Sequence, residues 1–301
     1  MDVENYSNLH LSKILGNLIK GSTKNYYNPY KKFDWPDVIS EERYWMSPEL
    51  LSVYGTSYSE SLSERKLQHL SKWECVNFFS INVHGERGLL QSMLNYLHQP
   101  GFDEISEYIH HFIGEENEHM WFFSQFCLQY GKKIYKNKQL RGKNEVQDAN
   151  VKMFLDFSMI LIFEEIGDFY NRKMKEDNRL PEIVRQISLV HYKDESRHLV
   201  MGKEVVKILH LKLRKTHSSR QLLAIECYLN QYIQSITELF YNPTVYCDAE
   251  ISLPYQLRRD LLSCDVRQDF HKKVLKRINR FFEASGIFTG ENTVTGGLFY
   301  G

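Results

Sequence analysis

The chain has 301 residues, 42% hydrophobic, 14% aromatic and 25% charged, which is enough apolar material for a substantial core. Its 38 basic and 38 acidic side chains cancel, which excludes the basic excess of a nucleic-acid binder, and the aromatic content excludes a disordered chain. No apolar run approaches the roughly 20 residues of a membrane span, so neither nucleic acid nor a membrane is an expected partner.

In chain order, the opening MDVENYSNLHLSKILGN carries an early acid and no apolar signal core, and a cytoplasmic protein is the expectation. Cys75, Cys127, Cys227, Cys247 and Cys264 are odd in number, widely spread and lack a CxxC, so they read as reduced thiols. Residues 1–60 gather Gly21, Pro29, Pro36, Pro48 and Gly55 and read as loops and short helices wrapped over a core. From Leu62 long helical stretches dominate, at 62–98 with a bend near Gly85, then 102–130, 147–176, 181–213, 218–240 and 264–284. Pro100 and Pro181 stand where helices should begin, which suits a fixed φ and a missing N–H. The basic stretch 131–146 reads as a solvent-facing connector, and the glycine-rich tail 286–301 as either a pocket cap or a disordered end. Valine and isoleucine rarely alternate with polar residues, so no strands are expected. The prediction is one all-α domain over 1–301, with a wrap at 1–60, a helical bundle at 62–285 and a tail at 286–301.

The stretch FLDFSMILIFEEIGDFY is too apolar for a surface helix and belongs in the centre of a bundle. Glu164 and Glu165 interrupt it, and an unpaired buried carboxylate is costly. A metal would neutralise such an acid; an arginine partner or a solvent-facing rotation would do so too.

Di-metal bundles use one Glu from each of two helices and Glu-x-x-His from each of two others. Glu-x-x-His occurs at Glu107/His110, Glu116/His119 and Glu195/His198. Position on the helix separates them. Glu107 precedes Glu116 by nine residues, about 900° of rotation, so the first pair faces away from the second. Glu116/His119 has Glu86 thirty residues upstream, and Glu195/His198 has Glu164 thirty-one residues upstream. Two near-identical helix pairs result, as a pseudo-two-fold site requires. The four carboxylates balance two divalent ions, and mixed oxygen and imidazole donors suit iron or manganese better than a thiolate-preferring metal.

His191 lies about 40° and −20° around the helix from Glu195 and His198, so all three share a face. On its own it would be an ordinary core histidine; beside a metal it becomes a ligand candidate. Glu115 and Asp194 directly precede the ligand glutamates, and each is placed to accept the outer N–H of an imidazole across the bundle. Arg197 is a partner for one of them, while Glu118 and Glu165 are expected to face outward or towards another helix.

GERGLL, EENEHMWFF, IFEEIGDFY and HYKDESRH together resemble the non-haem di-iron N-oxygenases of the p-aminobenzoate N-oxygenase and chloramphenicol arylamine oxygenase type. HxxxExxH in the last ligand helix is the distinguishing mark, and the motif-bearing part spans roughly residues 70–205. The resemblance implies a ferritin-like bundle, a homodimer, and two iron ions held by Glu86, Glu116, His119, Glu164, His191, Glu195 and His198. It further implies O₂ as co-substrate, an external electron donor, and N-oxygenation of a small-molecule amine towards hydroxylamine, nitroso or nitro product in secondary metabolism.

Other readings stay open at this stage. The same core supports C–H hydroxylation, desaturation or C–C cleavage, or a radical-generating ribonucleotide reductase subunit. Iron storage is disfavoured by the aromatic N-terminal wrap and the neutral charge, and a metal-free interaction module is the plainest alternative. Phe122, Phe126, Phe157, Phe163, Phe169 and Tyr192 read as core rather than pocket. Arg87, Arg172 and Arg197 are candidates for a substrate carboxylate, each with an ordinary salt-bridge role as the alternative.

Overall fold

A computed structural model of the chain describes residues 3–137 and 146–290, with side chains from His10 onward. Among the described residues the architecture is all-helical. The 138–145 part of the basic connector and the tail beyond Gly290 lie outside the described residues.

The eleven described α-helices are α1 (Val3–Asn25), α2 (Pro29–Lys32), α3 (Ser57–Ser61), α4 (Glu64–Leu94), α5 (Asp103–Phe126), α6 (Ala149–Met174), α7 (Glu182–Thr216), α8 (Ser219–Leu239), α9 (Pro243–Asp248), α10 (Pro254–Ser263) and α11 (Asp265–Ala284). A π-turn over Cys127–Gly131 extends α5. The core is two helical hairpins, α4 with α5 and α6 with α7; short connections pack each pair side by side. On this core, α1 lies against α5 and α7, α8 and α11 lie against α6, and α9 lies against α4.

Local sequence sets the helix starts. Ser63 accepts from the Lys66 N–H, Asp148 from the Asn150 and Val151 N–H groups, and Ser218 forms a reciprocal box with Gln221. Pro181 is the residue that caps α7, one position before its first turn. Pro100 does not start a helix: Gly101 at φ +87° turns the chain and α5 begins at Asp103.

Four other expectations change. The N-terminal wrap contains the 23-residue α1, not only loops and short helices. Leu15, Leu18 and Ser22 are buried with Leu11, Ile14 and Ile19 beside them, a helical stripe that packs on the core. The segment between α8 and α11 adds α9 and α10. The described start of the basic connector is anchored: Tyr135 is buried and, like Lys133, bonds Asp248. Finally, α4 runs unbroken through Gly85, whose role is close approach: the Phe163 ring occupies the space a Cβ would need.

Candidate metal centre

The four core helices bring seven side chains to one buried point: Glu86 from α4, Glu116 and His119 from α5, Glu164 from α6, and His191, Glu195 and His198 from α7. None is more than 2% exposed, so water cannot neutralise them. Four overlapping triads have ligand atoms within 4.8 Å of one another: Glu86–His119–His191, Glu116–Glu195–His198, Glu164–His191–Glu195 and Glu86–Glu116–Glu164. Glu107 and His110 are exposed on the opposite face of α5, where His110 meets His98 at 3.0 Å.

Glu116 and Glu195 occupy the middle. The Glu116 oxygens lie 3.0 Å from His119 Nδ1 and 2.6 Å from His198 Nδ1. Those of Glu195 lie 2.9 Å from His191 Nε2, 3.2 Å from His198 Nδ1 and 3.4 Å from His119 Nδ1. Glu86 and Glu164 stand at the periphery, and both oxygens of each are buried without a hydrogen-bond donor. Four such orphaned oxygens in one cluster are an energetic fault unless a cation takes them.

The electrostatics show how the cluster balances without metal. Burial, then Glu116 and Glu195, raises the Glu86 carboxyl well above its ordinary range; burial, then Glu195 and Glu116, does the same to Glu164. Burial and Glu195 oppose ionisation of Glu116, but His198 and His119 overcome them and hold it down to about 2. Against burial, His198 and His191 likewise hold Glu195 low. Burial would lower His119, yet Glu116 and Asp194 raise it to about 10, and Glu116 and Glu195 raise His198. Protons therefore stand where metal charge would.

The outer nitrogens of the imidazoles are fixed. His119 Nε2 lies 3.2 Å from Asp194 Oδ2, and His198 Nε2 lies 2.7 Å from Glu115 Oε2. Arg197 Nη2 donates to both carboxylates, to Glu115 Oε1 at 2.5 Å and Asp194 Oδ1 at 2.6 Å, and Arg197 Nε donates to Ser22 of α1. Burial of Glu115 and Asp194 is outweighed by these imidazole and guanidinium partners, so both stay ionised. This arrangement leaves Nδ1 of His119 and His198 facing the central carboxylates, the ring orientation a metal ligand needs once the Nδ1 proton is displaced.

His191 is turned the other way, with Nε2 inward and Nδ1 2.5 Å from the Asn171 carboxamide. The Asn171 atom placed there is Nδ2, and Oδ1 has no partner; with the amide flipped, Oδ1 would accept the Nδ1 proton and free Nε2 for a metal. Sequence reasoning missed Asn171. The signal was its spacing, seven residues after Glu164 and hence on the same face of α6. Phe112 packs on His198 and Phe123 on His191, at 4.5 and 4.9 Å between ring centroids.

A cavity of about 530 Å³ runs beside this centre between α4, α6, α8 and Tyr135–Asn137. It follows α4 from Asn77 to Asn95, about 27 Å at the helical rise. Its middle is formed by Ile81, Gly85 and Gly88 facing Ile160, Phe163 and Tyr232. Gly85 and Phe163 immediately precede Glu86 and Glu164, and the Tyr232 phenol is close enough to feel the Glu164 charge. Phe163 is therefore pocket wall rather than core alone. Arg87, Arg172 and Arg197 do not line the cavity: Arg87 is exposed beside His84, Arg172 pairs with Asp168, and Arg197 is committed as above. Glu165 is buried and faces other helices, pairing with Lys203 and Arg277.

Comparison with known proteins agrees with this geometry. The family model described as p-aminobenzoate N-oxygenase AurF matches residues 10–286. An uncharacterized protein of Mycobacterium bovis and one of Mycobacterium tuberculosis are each 21% identical over 259 residues, covering 83% of this chain and 75% of the relative.

Proposed function

Because the chain belongs to the p-aminobenzoate N-oxygenase family, we propose that it is a di-iron, O₂-dependent enzyme that N-oxygenates a small-molecule amine. The observation that carries this reading is the set of seven buried ligand-type side chains, with four carboxylate oxygens left orphaned among them. Glu86, Glu116, His119, Glu164, His191, Glu195 and His198 would hold two iron ions, whose four positive charges match the four carboxylates. Bound there, iron supplies the reductive activation of O₂. Glu115, Asp194 and Asn171 orient the imidazoles, and Phe112, Phe122 and Phe123 exclude water around them.

The finer reading concerns the substrate. The elongated cavity suits an amine with an apolar body along Ile81, Leu89, Met159 and Ile160, its nitrogen placed at the Gly85–Phe163 level next to the carboxylates. Gln91, Asn95 and the Lys152–Asp156 pair give the far end polar partners. Such an enzyme takes electrons from an external donor and acts as a homodimer in biosynthesis of secondary metabolites. The thiols of Cys75 and Cys127, both buried and outside any disulfide, support a reducing, cytoplasmic setting. Among the described residues no helix is long and apolar enough to cross a membrane.

The test is to load the purified chain with ferrous iron without oxygen, add O₂ and a panel of amines, and analyse products by mass spectrometry. Amine-dependent O₂ consumption with N-oxygenated product is the expected result. Iron-replete protein that consumes O₂ without oxygenating any nitrogen would return the chain to another oxidase or to iron storage.

A further inference from the structure

The three imidazoles of the centre each have one outer nitrogen, and following those nitrogens outward separates them. From His198 the path reaches Glu115 and then the Arg197 guanidinium. From His191 it reaches the Asn171 carboxamide. Neither an amide nor a guanidinium gives up an electron under biological conditions. From His119 it reaches Asp194 Oδ2 at 3.2 Å, and the same oxygen accepts the Tyr27 hydroxyl at 3.1 Å. Among the described residues, this path reaches an oxidisable side chain directly, without passing through a guanidinium or an amide.

The placement of Tyr27 fits an entry point. His119 and Asp194 are buried, whereas Tyr27 is half-buried, in the link between α1 and α2 and thus at the outer boundary of the molecule. Its hydroxyl points inward and its ring lies under the Lys32 ammonium, 5.3 Å from the centroid. Resting on the iron reading above, we propose that Tyr27 passes single electrons between the protein surface and the metal centre, through Asp194 and His119.

The step balances within these residues. Once O₂ has oxidised the iron, that oxidised centre takes one electron from Tyr27 along the hydrogen-bonded path, the phenol O–H bond breaks, and the proton crosses to Asp194 Oδ2. A neutral phenoxyl radical remains, because the Lys32 charge over the ring disfavours a radical cation. A one-electron donor of the reduced iron–sulfur or flavin class then restores the ring, and the proton returns from Asp194. Arg197 on Asp194 Oδ1 keeps the carboxylate in place throughout. A buried centre that needs electrons one at a time thereby gains a defined contact with an external donor.

The test compares wild type with Tyr27→Phe, which removes one oxygen and keeps the ring. Both proteins are loaded with ferrous iron, mixed with O₂ in the absence of any amine, freeze-quenched and read by electron paramagnetic resonance. The expected result is a phenoxyl signal in wild type, narrowed when ring-deuterated tyrosine is incorporated, and lost in Tyr27→Phe at equal iron content. In a second measurement reduced ferredoxin is added after the radical has formed; it should speed the decay of the phenoxyl signal. An unchanged radical in Tyr27→Phe, no radical in iron-replete wild type, or a radical whose decay ferredoxin leaves unchanged overturns the proposal. Because no amine is present, these outcomes are independent of the N-oxygenation reading. A chain that takes up no iron overturns both, and metal analysis distinguishes that case.

Discussion

The ring of Phe163 lies against the backbone of Gly85, in the space any larger residue at position 85 would fill. Each residue directly precedes a carboxylate of the centre, so this contact sets the spacing of α4 and α6 at the point where cavity and ligands meet. Gly85→Ala should force the ring to move, at a cost of about 1–3 kcal/mol by overpacking. Thermal unfolding would register the loss. Gly88 has open space instead, so Gly88→Leu should enter the cavity, retain iron and raise KM or abolish turnover. Unchanged kinetics in Gly88→Leu would remove the cavity as the amine site.

Metal loading should release protons. In the metal-free protein Glu86, Glu164, His119 and His198 all have raised pKa values, so binding divalent ions near neutral pH should displace protons from the cluster. Recording base uptake in unbuffered solution during iron titration measures this directly, and metal affinity should weaken as pH falls.

The metal-free protein should also lose stability as pH rises. Raised imidazole pKa values stabilise the fold fully below the unfolded histidine value, and that contribution disappears as pH climbs through about 10 for His119. The raised carboxyls act in the same direction, because the folded chain binds their protons more tightly than the unfolded chain. At the acid end, Glu116 and Glu195 lose their stabilising contribution as pH falls towards their lowered values. Melting temperatures of metal-free and iron-loaded protein across pH should therefore diverge most at high pH.

Arg197 ties Glu115 to Asp194 and so couples the outer nitrogens of His198 and His119. Arg197→Met leaves two buried carboxylates without their shared cation, and loss of imidazole orientation should weaken metal binding about 10–100-fold. Competition with a chelator reads this affinity. Arg197→Lys keeps the charge without the planar fork and should fall between the two.

The proposed ligand set should divide into residues that retain metal and one that tunes it. Glu116→Ala removes a carboxylate placed between two imidazoles and should empty the site, whereas Glu107→Ala, on the exposed face of α5, should leave iron content unchanged. His191→Ala should keep most of its iron, since the four carboxylates remain, but reduce N-oxygenation. Equal iron loss in Glu107→Ala and Glu116→Ala would refute the facing argument.

What the sequence determined by itself was whatever helical periodicity fixes within one element. Glu116 and His119, or His191, Glu195 and His198, share a face because rotation per residue is local; the same arithmetic sent Glu107 outward. The stripe of Leu11, Ile14, Leu15, Leu18 and Ile19 in α1 was equally local, but the glycines and prolines of residues 1–60 drew the reading towards loops. What only the tertiary structure decided was which distant elements meet. That Glu115 serves His198 and Asp194 serves His119, that α4, α6 and α8 leave a cavity between them, and that Tyr27 ends beside Asp194 all depend on helices packing together. Tyr27, in the link between α1 and α2, and Asp194, in α7, are far apart in the chain, and no helical periodicity encodes the distance between their side chains.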